Sequence, residues 1–387
     1  MAGLYLHIPF CRQACSYCDF FFVTRSRHIP AFVDALVREI REGGWMEPAL
    51  YRRFRASPIR TVYIGGGTPS RLSAASLRRI AAALQQSFHL DELTEFTVEV
   101  NPEDVTTQLL EVLAEIGVTR LSMGIQSFQP RLLEFMHRAH TVEQAREALK
   151  LVQEADFFSY NVDLIYALPD QSIRELRHDV QELCRFQPPH VSAYTLTIEP
   201  ATRLGKQHAL GRIHPMDDRP AARQARLVQA FLAREGLLQY EISNFARRGH
   251  QALHNSAYWS HEPYLGLGPS AHSFLSETAS DPALRWKNTA DLHRYLLSVH
   301  ERRGEYAFRE ELDSRALVSE RIMLGLRTRH GVSTTELDRR YGYQLSPDQL
   351  KAIEQYRSQG LMEPDEPLRL TPDGFLLADQ ITLDLWA

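Results

Sequence analysis

The chain has 387 residues, with 44 Lys and Arg against 48 Asp and Glu for a formal charge of −4, and 44% of it is hydrophobic. That length suits roughly two to three domains, or one barrel with an appendage. The composition excludes a collagen-like or disordered chain and gives no global basic field for nucleic acid. Four cysteines are too few to scaffold it through disulfides.

At the amino terminus there is no basic region, long apolar stretch or small-residue cleavage site, so no signal peptide is expected and a cytoplasmic location is. No run approaches the roughly eighteen consecutive apolar residues of a membrane helix. Short apolar runs then alternate with stretches of helical period, the pattern of βα units feeding a parallel sheet. Strands are predicted over 4–8, 61–64, 95–100, 120–125, 160–167 and 191–198, with helices over 29–42, 74–87, 107–116, 141–155 and 173–185. This rhythm predicts an α/β fold, an incomplete (β/α)6 TIM-like barrel rather than an open doubly wound sheet. The Arg-dense patch 52–60 reads as a solvated face.

After Pro200 the rhythm breaks. A helix is predicted over 221–235, and 240–274 is rich in aromatics, His, Asn and Gly without a clear period. Helices return over 291–300, 314–326, 334–341 and 346–360, and 361–370 with 374–381 read as a small hairpin. The tail is therefore expected to be mostly helical and winged-helix-like. Its mixed charges, Lys351, Glu354, Arg357, Asp365 and Glu366, favour packing over DNA binding, and no nucleic-acid partner is expected. The expected division is a partial barrel over 1–240, a connecting segment over 241–300 and a helical domain over 301–387.

Three of the four cysteines, Cys11, Cys15 and Cys18, fall on one loop directly after the first strand. In a reducing compartment such a cluster reads as a metal or redox site. A closed zinc site would want a fourth ligand, and neither His7, on the strand, nor Phe20 supplies one. An iron–sulfur cluster held by three cysteines leaves one iron open to an outside ligand, which suits catalysis or cofactor binding better than electron storage. Cys184, alone in a helical run, reads as a small apolar residue.

The second strand ends in Gly65-Gly66-Gly67-Thr68-Pro69, where glycines allow a backbone to approach a ligand closely or to turn tightly. Other strand ends carry Glu99, Gln126 and Asp163, at the edge where a barrel builds its site. A carboxylate inside an apolar strand, as at Asp163, needs a partner, either a ligand or an ion pair with Arg138.

Cys-x3-Cys-x2-Cys after the first strand of a βα barrel resembles the radical S-adenosylmethionine (SAM) superfamily. That resemblance implies a [4Fe–4S] cluster on Cys11, Cys15 and Cys18, SAM chelated to the fourth iron through its amine and carboxylate, and reductive cleavage to a 5′-deoxyadenosyl radical. Adding Tyr5-x-His7-Ile-Pro-Phe, the GGGTP run, Glu-Val-Asn-Pro, Leu-Ser-Met-Gly-Ile-Gln, His-Arg-Ala-His and Asp-Leu-Ile-Tyr-Ala-Leu-Pro makes the whole chain similar to the HemN/HemW family. That family comprises oxygen-independent coproporphyrinogen III oxidase and a related heme chaperone. The resemblance places Tyr5 and Tyr17 near the cluster and SAM, and Gly66 and Glu99 on SAM itself. It places Gly67, Thr68, Gln126, Arg138 and Asp163 at a second SAM position seen in the oxidase.

Two departures separate the chain from the oxidase pattern. Phe20 stands where the oxidase has a further cysteine, and only ten residues precede Cys11, where the oxidase has a long closing extension. A third feature is gained: His254-Asn255-x-x-Tyr258-Trp259, the mark of the chaperone branch, where it is associated with heme binding. Imidazole ligates heme iron and aromatic rings cover porphyrin faces, so His254 is the heme-ligand candidate with Asn255, Tyr258 and Trp259 beside it. His250 and His272 are weaker candidates, and the alternative is that the group hydrogen-bonds and packs over the barrel mouth. The resemblance thus implies a heme chaperone with heme as bound cargo, serving membrane-bound respiratory hemoproteins from the cytoplasm or the membrane periphery. Its partners would include an electron donor such as flavodoxin or ferredoxin, with a homodimer left open. The alternative is the oxidase, which decarboxylates two propionates of coproporphyrinogen III.

Overall fold

The computed structural model describes residues 2–43, 46–155, 157–278, 281–303 and 306–387. Six parallel strands, β1 (Ala2–Ile8), β2 (Ile59–Gly66), β3 (Glu95–Val100), β4 (Arg120–Gln126), β5 (Ser159–Tyr166) and β6 (His190–Thr195), lie side by side in sequence order. Each is buried on both faces, and the two faces differ in chemistry. One row, including Leu4, Leu6, Val62, Ile64, Val98, Leu121, Met123, Val162, Leu164 and Val191, is almost wholly buried in the main apolar core with the surrounding helices. The alternate row is polar: Tyr5, Thr61, Tyr63, Glu95, Glu99, Arg120, Ser122, Asn161, Asp163, His190 and Ser192. A parallel strand packed on both faces usually reads as continuously apolar. Here period-two alternation marks a polar lumen, and buried polar groups require partners inside it.

The sheet continues past the barrel. β7 (Leu238–Gln239) and β8 (Asn244–Ala246) add antiparallel strands beyond β6. On the other side β9 (Tyr264–Leu267) pairs in parallel with β1, and β10 (His272–Leu275), β11 (Ala283–Asn288) and β12 (Tyr306–Leu312) follow antiparallel. The aperiodic stretch 240–274 therefore supplies three short strands and a helix, Leu253–Trp259. Among the described residues, no helix is long and apolar enough to cross a membrane.

The predicted helices form with recognisable starts: Ser172 and Glu175 close a capping box on Ile173–Arg185, and Thr141 and Gln144 one on Val142–Glu154. Two expectations need correction. Strand β6 stops at Thr195 instead of 198. The hairpin expected over 361–381 is only half formed: Met362 bridges Leu370, but Pro372–Phe375 and Ala378–Asp384 are helices. The Thr371 hydroxyl accepts the Gly374 amide and Pro372 occupies the first turn. Buried Phe375, Ala378, Ile381 and Leu385 then recur every three or four residues, a helical period. These side chains join Val318, Ile322, Leu326 and Ile353 in a separate C-terminal core.

Candidate cluster and cofactor site

The cysteine loop leaves β1 through Pro9 and is closed at its neck by a bridge between Phe10 and Val23, where the Cys11 amide donates to the Val23 carbonyl at 3.0 Å. Beyond the neck, Ser16 bonds the Phe135 and Met136 carbonyls, Gln13 the His137 carbonyl, and Arg12 pairs with Asp104 at 2.7 Å. This anchoring turns Cys11, Cys15 and Cys18 toward one cavity of about 480 Å³ at the carboxyl ends of the strands. The Thr68 hydroxyl lies 3.7 Å from the Cys11 sulfur and Arg138 Nη1 3.3 Å from that of Cys15. Burial pushes the Cys11 thiol up to about 11 and the Cys18 thiol to about 12.

The glycine run serves packing. Gly66 has φ +108°, and a Cβ there would sit 2.6 Å from the His7 ring; one on Gly67 would sit 2.9 Å from the Ile8 carbonyl oxygen. Both amides are used internally, Gly66 donating to Glu99 Oε2 at 3.1 Å and Gly67 to the Ile8 carbonyl at 2.8 Å. Tyr63 donates to the other Glu99 oxygen at 2.7 Å. Even so, burial lifts the Glu99 carboxyl to about 7, and it lifts that of Asp163 to about 6.

Asp163 does not form the ion pair with Arg138 weighed from sequence. It accepts Asn161 Nδ2 at 2.6 Å, and Asn161 is held by His190 Nδ1 at 2.7 Å and the Ser192 hydroxyl at 3.0 Å. His190 Nε2 meets the Tyr240 hydroxyl at 2.8 Å. Arg138 Nη2 instead reaches Asn101 Oδ1 and the Gly124 carbonyl, both at 2.8 Å. Gln126, in a left-handed conformation with φ 69°, lines the cavity with Thr68, Tyr17, Gly66, Gly67, Glu99, Arg138 and Asp163. Tyr5 does not line it; it stacks on Tyr63 and bonds His7 Nδ1 at 3.0 Å, deeper in the lumen. Sequence reasoning missed Asn161, His190, Ser192 and Tyr63, although the polar beat within their apolar strands was a usable signal.

The His-Asn-x-x-Tyr-Trp segment sits at the opposite end from the cysteines. Its helix, Leu253–Trp259, crosses the amino-terminal ends of β1 to β3, where the Leu253 and His254 amides donate to the Glu95 carboxylate at 2.8 and 2.9 Å. His254 Nδ1 meets the Thr61 hydroxyl and Nε2 the Tyr258 hydroxyl, both at 2.8 Å, while the ring stacks on Tyr63. With 1% exposure, and burial pulling its imidazole down to about 3, His254 has no open nitrogen for heme. Asn255 reaches the floor of the cysteine-lined cavity, and Tyr258 packs edge-on against Tyr264. Trp259 faces a different cavity, shared with Glu241 and Arg321. The segment is thus a barrel floor, not a cover over the mouth. His250 stacks on the exposed Phe158, and exposed His272 meets Phe308 edge-on.

Residues 5–183 match the radical SAM superfamily, and residues 312–377 match the HemN C-terminal domain. The heme chaperone HemW of Lactococcus lactis is 32% identical over 380 residues, covering 97% of this chain and 95% of that protein. The HemW of Bacillus subtilis is 31% identical over 385 residues, covering 98% of each. The chain belongs to the HemW family of radical SAM proteins. Among solved structures, Escherichia coli coproporphyrinogen III oxidase (HemN) superposes with a TM-score of 0.84 at 22% identity, over all of this chain and 90% of that one, which shows a shared fold.

HemW-family membership implies a [4Fe–4S] cluster and SAM, and the cavity chemistry fits both. Arg138 sets its guanidinium beside a thiol, its Nε has no hydrogen-bond partner among the described residues, and the carboxylates of Glu103 and Asp163 act on it through charge without making an ion pair. With a free Nε and a sulfur neighbour, it suits a further anion in the cavity, which a thiolate-ligated cluster or the methionyl carboxylate would supply. Among the described residues, no three His, Cys, Asp or Glu side chains converge on a single metal ion. A four-iron cluster takes each thiolate on a different iron, and Cys11, Cys15 and Cys18 of one loop line one cavity.

Proposed function

We propose that this HemW-family protein is a heme chaperone that binds heme, carries a [4Fe–4S] cluster on Cys11, Cys15 and Cys18, holds SAM beside it and passes heme to respiratory hemoproteins. The observation that carries this reading is end-to-end similarity to HemW proteins, 32% identity with 97% and 95% coverage. Phe20, 69% exposed at the rim of the cavity, agrees with it, since a bare aromatic at an open mouth gives a radical intermediate little shelter from water.

The chemistry the bound cofactors supply is one-electron reduction of a sulfonium. Around them Arg138 offsets negative charge beside Cys15, and Thr68 and Tyr17 pack the same wall. Glu99, oriented by Tyr63 and the Gly66 amide, would meet the amine end of SAM. Asp163 and Gln126 offer acceptors farther round the rim, with Asp163 aimed by the His190–Asn161 chain. The rival reading, coproporphyrinogen oxidation, draws on the fold shared with HemN.

The test is anaerobic incubation of the reconstituted protein with reductant, SAM and coproporphyrinogen III, quantifying protoporphyrinogen and 5′-deoxyadenosine, with a parallel hemin titration. Heme binding without porphyrin product is expected; catalytic turnover to protoporphyrinogen makes the protein an oxidase. Cys15→Ser is expected to abolish the brown iron–thiolate absorption, and full iron and sulfide content in that variant sinks the three-thiolate cluster.

A further inference from the structure

We infer that heme binds in a surface groove adjoining the cluster cavity, between residues 21–28 after the cysteine loop and residues 290–296, with His293 as the iron ligand. This inference rests on the heme-chaperone reading. The groove encloses about 490 Å³. Phe21, Phe22, Val23, Leu292 and Leu296 form its apolar walls, and Arg25, His28 and His293 stand among the residues lining it. These are the three things a heme requires: flat apolar contact for the macrocycle, an imidazole for the iron, and a cation for the propionates.

The state of the imidazoles selects this place over the floor helix. His7, His190 and His254 each have both ring nitrogens engaged. His28 receives the Arg27 Nε hydrogen on Nε2 at 3.1 Å, which leaves its other nitrogen. His293 is exposed, and no hydrogen bond, ion pair or ring contact engages it among the described residues. Its helix, Leu292–Glu301, is held by buried Leu292 and Tyr295 and capped by Asp291, whose carboxylate accepts the Arg294 amide at 2.8 Å. Asp291 keeps its negative charge on the groove's lining, so the propionates are placed toward Arg25 and away from it.

The facing wall is equally fixed. Val23 bridges to Phe10, and the Phe21 carbonyl accepts His7 Nε2 at 2.8 Å. Phe22 lines both the groove and the cysteine cavity, so the bound macrocycle would lie one side chain away from the cluster site.

The experiment is a hemin titration of cluster-loaded wild type, His293→Ala, the double variant His28→Ala/His293→Ala, and Leu296→Trp, which fills the groove without touching an imidazole. Affinity, the spin-state spectrum of the iron, iron and sulfide content and thermal midpoint are read together. His293→Ala is expected to lose the imidazole-ligated signature and about tenfold or more in affinity, with added imidazole restoring the signature. Leu296→Trp is expected to weaken binding with the cluster intact. Wild-type affinity and ligation in the double variant overturn the groove, as does a loss confined to variants that also lose the cluster or melt early. A wild type that binds no heme at all overturns the chaperone reading itself, a distinguishable result.

Discussion

His254 shows how a residue's chemistry is decided by its surroundings. As a sequence token it is an exchangeable imidazole; in the barrel floor both nitrogens are spent on Thr61 and Tyr258. His254→Ala leaves those hydroxyls unpaired and a hole against Tyr63, and is expected to cost about 2–4 kcal/mol, read as a lowered urea midpoint. An unchanged midpoint would remove its structural role. Glu39 makes a second residue-scale case. Fully buried, it accepts the Gly268 amide at 2.8 Å and the Tyr295 hydroxyl at 2.7 Å, and burial raises its carboxyl to about 7. Its folded pKa is above the unfolded value, so the folded state holds the proton longer and stability falls as pH rises through the window from about 4.5 to 7. Glu39→Gln keeps an acceptor without the charge. Its advantage over wild type is expected to grow between pH 5 and pH 8, by at most roughly 3 kcal/mol. Parallel pH dependences of the two urea midpoints would refute this.

At the scale of elements, the strands and helices of the βα units were readable because period-two and period-3.6 patterns are complete within a short window. The cysteine loop was readable for the same reason, since three thiols within eight residues need no fold to be seen together. What could not be read was β9, four residues in an aperiodic stretch whose strand character comes from pairing with β1. Its geometry depends on Gly266, where a Cβ would lie 2.0 Å from the His272 carbonyl oxygen. Gly266→Ala is therefore expected to force β9 and β10 apart and to cost at least about 1–3 kcal/mol, seen as a lower melting temperature. An unchanged melting temperature would mean that the turn relaxes freely. The helix at Ala378–Asp384 failed as a strand expectation because Gly374 and the neighbouring Pro372 suggest a turn; they belong to the first turn of a capped helix.

Across the whole molecule, the buried apolar side chains of the described residues fall into a large core under the barrel helices, a smaller one within the C-terminal helices, and a small cluster of Phe274, Ala283, Leu312 and Leu317 between the outer strands and the helix Ser314–Leu326. The two larger cores are joined through that small cluster and through polar ties: the Ile242 amide to the Arg327 carbonyl, the Arg329 amide to the Tyr240 carbonyl, and Arg226 to Asp373 at 2.8 Å. Separate cores joined by one small apolar cluster and a few polar contacts need not unfold together. Ile381→Ala, inside the second core, is expected to destabilise that unit by about 2–5 kcal/mol while iron content and the cluster chromophore persist. Calorimetry combined with iron analysis checks this; cluster loss in the same transition would show one cooperative unit.

By itself the sequence determined the βα rhythm, the three-thiol loop and the polar residues at strand ends, because each is written in residues close along the chain. Family membership followed from the same local motifs taken in order. The tertiary structure alone decided which polar groups satisfy one another inside the lumen, since Asp163 takes Asn161 rather than Arg138. It also decided that the His254 segment closes the floor, through a bond to Thr61 spanning 193 positions. Such pairings depend on strand register and burial, and no short window of sequence contains either.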